Sequence, residues 1–178
     1  MPNRIILCGL NGSGKSTLGK ALAQSLGWQF LDIEDYWFPE KNASYAYGTV
    51  RTREEVQWLL HADLQKYPDC ILASVKGNVG EENVRLFTGA VWLRVPKEIR
   101  MQRIYSRSYG KFGDRILPGG DLYEQEKQFF DMAESRTEAE VETWLRSLTL
   151  PVIQAEGTRP IAENVEFLRQ VLANGELL

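Results

Sequence analysis

The sequence predicts an α/β fold of three layers, with a parallel five-stranded sheet covered by helices on both faces. Two observations predict it. Short, almost continuously apolar runs alternate with segments of helical periodicity, and the first apolar run leads directly into a glycine-rich loop and a helix. Strands of a parallel sheet are buried on both faces and therefore lack polar alternation. Strand–helix alternation is the pattern that such sheets require.

Ten elements follow from this pattern in chain order. The apolar runs predict strands at residues 4–8, 29–32, 70–74, 90–95 and 152–155. Apolar residues at helical spacing predict helices at residues 15–26, 53–66, 97–106, 123–148 and 161–172. We expect one domain over residues 1–178, because the length suits a single core and no linker composition interrupts it.

Two segments depart from the strand–helix rhythm, and loops of this length are usually functional or disordered. Residues 35–67 form an excursion whose loop part is rich in aromatic side chains, and we expect it to bind an acceptor molecule. Trp37, Tyr45 and Tyr47 could stack on that molecule or pack against the core. Residues 107–122 are rich in glycine and basic residues and are expected to form a lid, in which Lys111 and Arg115 could close over a ligand.

The glycine-rich loop after the first strand has the pattern G-x-x-x-x-G-K-S, the Walker A phosphate loop. Glycine allows main-chain N–H groups to close on an anion, and the following helix directs its N-terminus at the same place. Lys15 can reach the outer phosphates and the Ser16 hydroxyl can ligate Mg²⁺. The predicted contacts to a nucleoside triphosphate are Gly9, Asn11, Gly12, Ser13, Gly14, Lys15, Ser16 and Thr17. The alternative is a glycine-rich turn without a ligand.

Basic residues are concentrated in one part of a chain whose net charge is −3. Residues 94–115 carry seven basic and two acidic side chains. Arg100, Arg103 and Arg107 recur on one helix face, and guanidinium groups suit phosphate oxygens. We expect Arg103 and Arg107 to be functional and Arg100 to lie at the surface. Nucleic-acid binding is not expected, because the acidic remainder would repel a long polyanion.

Carboxylates follow the second strand. Asp32 is the best candidate to organise Mg²⁺ or to accept a proton from a substrate hydroxyl, and Glu34 or Asp35 could take the second role. The alternative is that one of them caps the next segment. Arg136 either serves the site or pairs with Glu140 one helical turn away.

These motifs resemble those of the small P-loop kinases, which include adenylate kinase-like nucleotide kinases, shikimate kinase and gluconate kinase. The resemblance implies a sheet of order 2-3-1-4-5, with ATP and Mg²⁺ as cofactors and with Ser16 and Asp32 at the metal. It implies that Arg103 and Arg107 contact ATP and that Arg136 reaches back to the transferred phosphate or the acceptor. The loop at 157–161, with Gly157, Arg159 and Pro160, resembles the family's adenine-holding segment.

The acceptor side departs from that family pattern. Residues 74–78 read Ser-Val-Lys-Gly-Asn where shikimate kinases carry a glycine triplet and adenylate kinases an acidic residue and an arginine. Lys76 could bind a phosphate or carboxylate of the acceptor, and Arg51 or Arg53 could grip an acidic one. We expect a nucleoside, nucleotide or similar metabolite as acceptor. The alternatives are a small acid or sugar, or an ATPase module with no such acceptor.

Other functions and locations are constrained by what the sequence lacks. A regulatory GTPase would need Asp-x-x-Gly and Asn-Lys-x-Asp motifs, and neither occurs. No apolar run is long enough to span a membrane and a strand begins almost at the N-terminus, so we expect a cytoplasmic protein that is a monomer or homodimer. Cys8 and Cys70 are expected to be free core residues, and His61 to lie on the surface.

Overall fold

The computed structural model describes residues 2–39 and 49–177 and contains the predicted five-stranded parallel sheet. Its strands are β1 (Asn3–Cys8), β2 (Gln29–Asp32), β3 (Asp69–Ser74), β4 (Gly89–Arg94) and β5 (Val152–Glu156). Their order is β2-β3-β1-β4-β5, as the family resemblance implied. Tyr45 and Tyr47 lie outside the described residues, so their predicted role stays a prediction.

Helices cover both faces of the sheet. They are α1 (Lys15–Leu26), α2 (Ile33–Trp37), α3 (Arg53–Lys66), α4 (Glu81–Val84), α5 (Lys97–Phe112), α6 (Tyr123–Ser135), α7 (Glu138–Arg146) and α8 (Ile161–Ala173), with a 3₁₀ turn at Gly113–Ile116. Successive strand residues point to opposite faces. Ile6 of β1 therefore packs with α3 and α7, whereas Ile5 and Leu7 pack with α1 and α8.

The central position of β1 determines where the site forms. β1 pairs with β3 on one side and with β4 on the other, and all these strands are parallel. The chain therefore leaves β1 toward one half of the sheet and returns later to the other half. In open parallel sheets the crevice at such a switch point, outside the carboxyl ends of the strands, is where ligands bind.

The predicted helix at 123–148 is two helices, α6 and α7, separated by Arg136 and Thr137. Arg136 has an extended backbone with ψ 134°, and Thr137 is extended as well. The Ser135 hydroxyl donates to the carbonyl oxygen of Met132. Hydroxyl side chains compete in this way with main-chain hydrogen bonds, which favours a break in a long helix. The break takes Arg136 off the helix flank on which the sequence placed it.

The predicted lid at 107–122 is mostly regular structure. α5 continues to Phe112 because Ser108 extends its buried face one turn beyond Ile104. Gly113 then ends the helix with φ 59°, a conformation that glycine adopts readily. Arg115 binds Asp121 at 2.7 Å across the short loop that remains. The short helices α2 and α4 were not predicted, because four or five residues are too few to show periodicity.

The remaining expectations concern the cysteines, the histidine and membrane association. Cys8 and Cys70 are buried and free, as predicted. His61 is partly buried, with Nδ1 2.8 Å from Oδ1 of Asn83. Within residues 2–39 and 49–177, none of the helices combines the length and apolar character needed to cross a bilayer.

Gly77, between β3 and α4, packs so closely on α7 that a Cβ atom there would overlap the Trp144 ring. We expect Gly77→Ala to lower the free energy of unfolding by about 1–3 kcal/mol, since overpacking forces neighbouring groups to move. Gly110→Ala is the matched control: its Cβ would meet nothing within 4 Å inside α5, so it should raise that free energy by about 0.5–1 kcal/mol. Urea unfolding measures both, and a Gly77→Ala protein as stable as the parent would contradict this packing.

Candidate active site

The phosphate loop, residues 9–14, joins β1 to α1 and requires glycine for two different reasons. Gly12 and Gly14 have φ values of 79° and 89°, in the left-handed region. Gly9 is required by proximity, because a Cβ there would lie 2.8 Å from the carbonyl oxygen of Leu93 on β4. Gly14 is the N-cap of α1 and supplies no side-chain cap, so the first N–H groups of α1 are free to bind an anion.

Lys15 is the charged centre of the site and is only 7% exposed. Burial lowers the pKa of Lys15, and the nearby Arg107 lowers it further, whereas the carboxylates of Glu34 and Asp32 raise it. Arg107 is exposed on α5. The phosphate loop, β2, α2 and α5 therefore bring these four charges into one electrostatic environment.

Asp32 and Glu34 occupy different positions in the site. Asp32 ends β2, is 7% exposed, and accepts a hydrogen bond from the main-chain nitrogen of Glu34 at 3.1 Å, so it caps α2. The capping alternative is thus realised, and the second carboxylate oxygen remains for another partner. Glu34 is half-buried and lines a cavity that also exposes Lys15.

Two oxygen-bearing side chains near the phosphate loop suit the divalent cation that the sequence implied. Ser16 supplies a half-buried hydroxyl in the first turn of α1, and Asp32 supplies a carboxylate oxygen. Magnesium takes hard oxygen ligands and is usually held by one or two protein groups together with substrate phosphates. In the described part of the chain, no group of three or more His, Cys, Asp or Glu side chains could hold a metal by itself. The site suits a metal that arrives with phosphate.

A nucleoside-sized cleft of about 220 Å³ lies on one side of the phosphate loop, between α5 and the β5–α8 loop. Arg103 spans it, donating to the carbonyl oxygens of Gly157 at 3.0 Å and Ser13 at 3.4 Å. Gly157 is required by proximity, because a Cβ there would lie 2.8 Å from the Ser13 carbonyl oxygen. We call this space the nucleoside cleft. Its lining also includes Thr17.

Two other residues predicted for this loop have structural partners. Arg159 lines the nucleoside cleft but binds Glu156 at 3.1 Å. Pro160 is the N-cap residue of α8, with φ −50°. Both therefore help to set the path of the loop that carries Gly157.

A second cavity of about 790 Å³, which we call the front cavity, opens at Lys15. Its wall includes Asn11, Lys15, Glu34, Trp37, Lys76, Gln125, Gln128, Phe129, Met132, Arg136 and Glu140. These residues come from the phosphate loop, α2, the segment after β3, and α6 with its break. The segments are distant in sequence, so no local pattern could have shown that they share a cavity.

Arg136 contacts the phosphate loop, and its predicted role at the transferred phosphate or the acceptor stays a prediction. Its Nη1 atom donates to Oδ1 of Asn11 at 2.5 Å from the break between α6 and α7. The surface ion pair with Glu140 is not what forms: Glu140 binds Lys76 Nζ at 3.1 Å instead. Burial lowers the pKa of Arg136, partly offset by Glu140 and Glu34. The extended backbone at Arg136 directs its side chain inward, which a continuous helix would not.

Arg100 was expected at the surface, and this prediction is wrong. The residue is 3% exposed, and its Nη1 atom donates to the main-chain oxygen of Asn11 at 3.1 Å. Arg100 and Ile104 lie one turn apart on the face of α5 that packs against Gly12. That helical spacing with Ile104 was the available signal, and the charge of Arg100 obscured it.

The structure gives contacts or positions for the other basic residues that the sequence singled out. Arg51 donates to the carbonyl oxygens of Asp35 and Tyr36, so it closes the end of α2. Arg53 begins α3. Arg115 is paired with Asp121, and Lys111 lies 4.8 Å from the centre of the Phe112 ring.

Comparison with known proteins gives consistent relatives. An AAA domain family, AAA_18, matches residues 5–131. The uncharacterized protein YqaC of Bacillus subtilis is 30% identical over 182 residues, covering 98% of this chain and 99% of that protein. A shikimate kinase of Moorella thermoacetica is 56% identical over 113 residues, covering 58% of this chain and 64% of the kinase. The solved shikimate kinase of Bacteroides thetaiotaomicron has a similar fold, with TM-score 0.58, 21% identity, and coverage of 97% and 99% of the two chains.

Proposed function

We propose that this chain, which belongs to the AAA domain family AAA_18 and is a small P-loop phosphotransferase, transfers the γ-phosphoryl group of ATP to a hydroxyl group of a nucleoside-like acceptor. The predicted resemblance to the small P-loop kinases is thereby confirmed at the level of the family. One observation carries the proposal: two cavities open at the phosphate loop and the start of α1, with Gly14 lining the nucleoside cleft and Lys15 and Glu34 lining the larger front cavity. A donor and an acceptor can therefore meet at Lys15.

The donor side of this proposal rests on the phosphate loop and on Arg103. The free N–H groups of α1 would hold the β- and γ-phosphates, and Arg103 would lie against the base, beside the main chain at Gly157. A bound divalent cation would neutralise charge on the phosphate oxygens, with Ser16 and Asp32 as its protein ligands. Lys15 and Arg107 would stabilise the charge that spreads over the transferred group.

On the acceptor side, Glu34 is the group best placed to accept the proton of the attacking hydroxyl. It lies on the front-cavity wall together with Lys15, and its main chain is fixed by the Asp32 cap. Phosphoryl transfer depends mainly on positioning and charge stabilisation, so a carboxylate that orients the hydroxyl is sufficient chemistry for this role.

The walls of the front cavity favour a planar, uncharged acceptor. Trp37 and Phe129 offer aromatic faces, and Gln125 and Gln128 offer amide donors and acceptors. The charge of Lys76 is already balanced by Glu140 at 3.1 Å. An acidic acceptor would have to compete with that carboxylate. A nucleoside base can stack on the aromatic side chains and hydrogen-bond to the amides without disturbing the pair.

A thermal-shift screen tests this proposal directly. The protein is saturated with Mg²⁺ and a non-hydrolysable ATP analogue and then screened against nucleosides, nucleotides, sugars and cyclic acids. A ligand at 100 times its dissociation constant stabilises the native state by about 2.7 kcal/mol, so a true acceptor raises Tm measurably. Nucleosides are expected to give the largest rise. A larger rise with a carboxylic acid would contradict the proposed acceptor class, and no rise with any compound would favour an ATPase module.

A further inference from the structure

A third cavity lies beside the start of α5; it shares Arg136 with the front cavity and Arg159 and Asn164 with the nucleoside cleft, and its other residues have no role in the proposed transfer. This rear cavity, of about 960 Å³, is lined by the start of α5, the end of β5, the break between α6 and α7, and part of α8. The lining residues on which the following argument depends are Val95, Arg100, Arg136, Gln154, Asn164 and Phe167. Its volume is that of an ordinary small-molecule site.

The rim and the floor of the rear cavity differ in how their charges are balanced. At the rim, Arg94 binds Glu138 at 2.5 Å and Lys97 binds Glu134 at 3.3 Å. Arg159 likewise binds Glu156 at 3.1 Å. These partly exposed pairs neutralise one another. The floor carries Arg100 and Arg136, whose hydrogen bonds go to the uncharged groups of Asn11.

Buried polar atoms at this cavity lack partners. Arg100 is 3% exposed, and its Nε atom has no hydrogen-bond partner. Asn164 is also 3% exposed, and its Oδ1 atom has none, although its Nδ2 atom donates to the Glu156 carbonyl oxygen at 2.9 Å. Leaving a buried polar group unsatisfied is costly, and such groups call for a ligand or water. Burial also lowers the pKa of Arg100, and the carboxylates of Glu138 and Glu98 counteract this only in part.

We propose that the rear cavity binds a phosphate monoester, with the phosphate between the guanidinium groups of Arg100 and Arg136 and the organic part along Val95 and Phe167. The two guanidinium groups both reach Asn11 and therefore lie close together. Guanidinium forks match phosphate oxygens, and the apolar wall would hold a carbon skeleton that inorganic phosphate lacks. Asn164 Oδ1 can accept a hydrogen bond from a hydroxyl of that skeleton.

Titration calorimetry with phenyl phosphate tests this site in protein saturated with Mg²⁺ and the ATP analogue, so that the phosphate loop is already filled. One phenyl phosphate is expected to bind, at least about five times more tightly than inorganic phosphate, because the ring adds apolar contact. Absence of binding by the nucleotide-loaded protein would overturn the proposal. Equal affinity for phenyl phosphate and inorganic phosphate would overturn the proposal that the ligand is a monoester, because the site would then recognise phosphate alone.

Four variants locate the binding. Arg100→Met should weaken phenyl phosphate binding at least about tenfold, since it removes a buried charged donor. Gln154→Glu adds a negative charge at an exposed position of the cavity and should weaken binding several-fold without affecting the loop. Gln24→Glu makes the same change at an exposed position of α1, away from the cavity, and should leave phenyl phosphate binding unchanged. Lys76→Met should also leave binding unchanged, and a loss in that variant with none in Gln154→Glu would place the ligand in the front cavity and overturn the proposal.

Discussion

Replacement of Lys15 by alanine is expected to lower kcat for ATP turnover by about 10²–10³-fold, the usual effect of removing one group that stabilises developing charge. Lys15 lines the front cavity and follows Gly14, which lines the nucleoside cleft, so the transferred phosphoryl group would pass beside it. The loss should appear in kcat and in affinity for the triphosphate, because the same amine serves both.

The fold should survive this change. Burial lowers the pKa of Lys15, which means that the protein holds the ammonium group at a desolvation cost. Lys15→Ala removes that cost, so Tm is expected to stay the same or to rise. Lys20→Ala is the matched control, because Lys20 is an exposed lysine on the same helix. ADP release and thermal melting are measured on both variants, and near-native turnover by Lys15→Ala would show that the proposed mechanism is wrong.

Replacement of Glu34 by glutamine is expected to lower kcat by about 10²–10⁴-fold, the usual range for a general base. Glu34 lines the front cavity and does not line the nucleoside cleft, so the KM for ATP should change little. Glutamine keeps the shape of the side chain, and the cap from Asp32 uses the main-chain nitrogen of residue 34, so α2 should form as before.

The control for this variant is Glu54→Gln, an exposed carboxylate in the first turn of α3. It removes the same charge at a distance from the cavity and should leave kcat unchanged. If Glu34→Gln keeps its rate, then Glu34 only shapes the cavity. That result would overturn the proton-accepting role given to Glu34 and leave the phosphate donor unaffected.

The phosphate loop and the sheet could be predicted because their signals are local. The loop at 9–15 is a contiguous pattern, and glycine at positions 12 and 14 is required by positive φ. The buried strands are equally local, because both of their faces are apolar. Arg103 was found by its position one turn before Arg107 on a basic helix. Its contact with Gly157, which lies 54 residues later in the chain, shows that Arg103 lies beside this loop, whereas its contact with ATP stays a prediction.

What could not be predicted depends on packing between distant segments. The inward position of Arg136 follows from a helix break that periodicity conceals, because the apolar spacing continues from α6 into α7. Burial of Arg100 follows from the close contact of α5 with Gly12, which leaves no trace in composition. The front cavity combines Trp37, Lys76 and Phe129 from three parts of the chain. A surface built by folding in this way can be recognised only after the fold is known.

The central claim, transfer of the γ-phosphoryl group to a small hydroxyl-bearing molecule, is tested most directly by following that group. The protein is incubated with Mg²⁺ and ATP carrying ¹⁸O in its γ-phosphoryl oxygens, together with a pool of nucleosides and other small metabolites. Mass spectrometry then identifies every labelled product. We expect a labelled phosphate monoester of a nucleoside, absent with Lys15→Ala and present with Lys20→Ala. Label recovered only in inorganic phosphate, at a rate that no metabolite changes, would contradict the account.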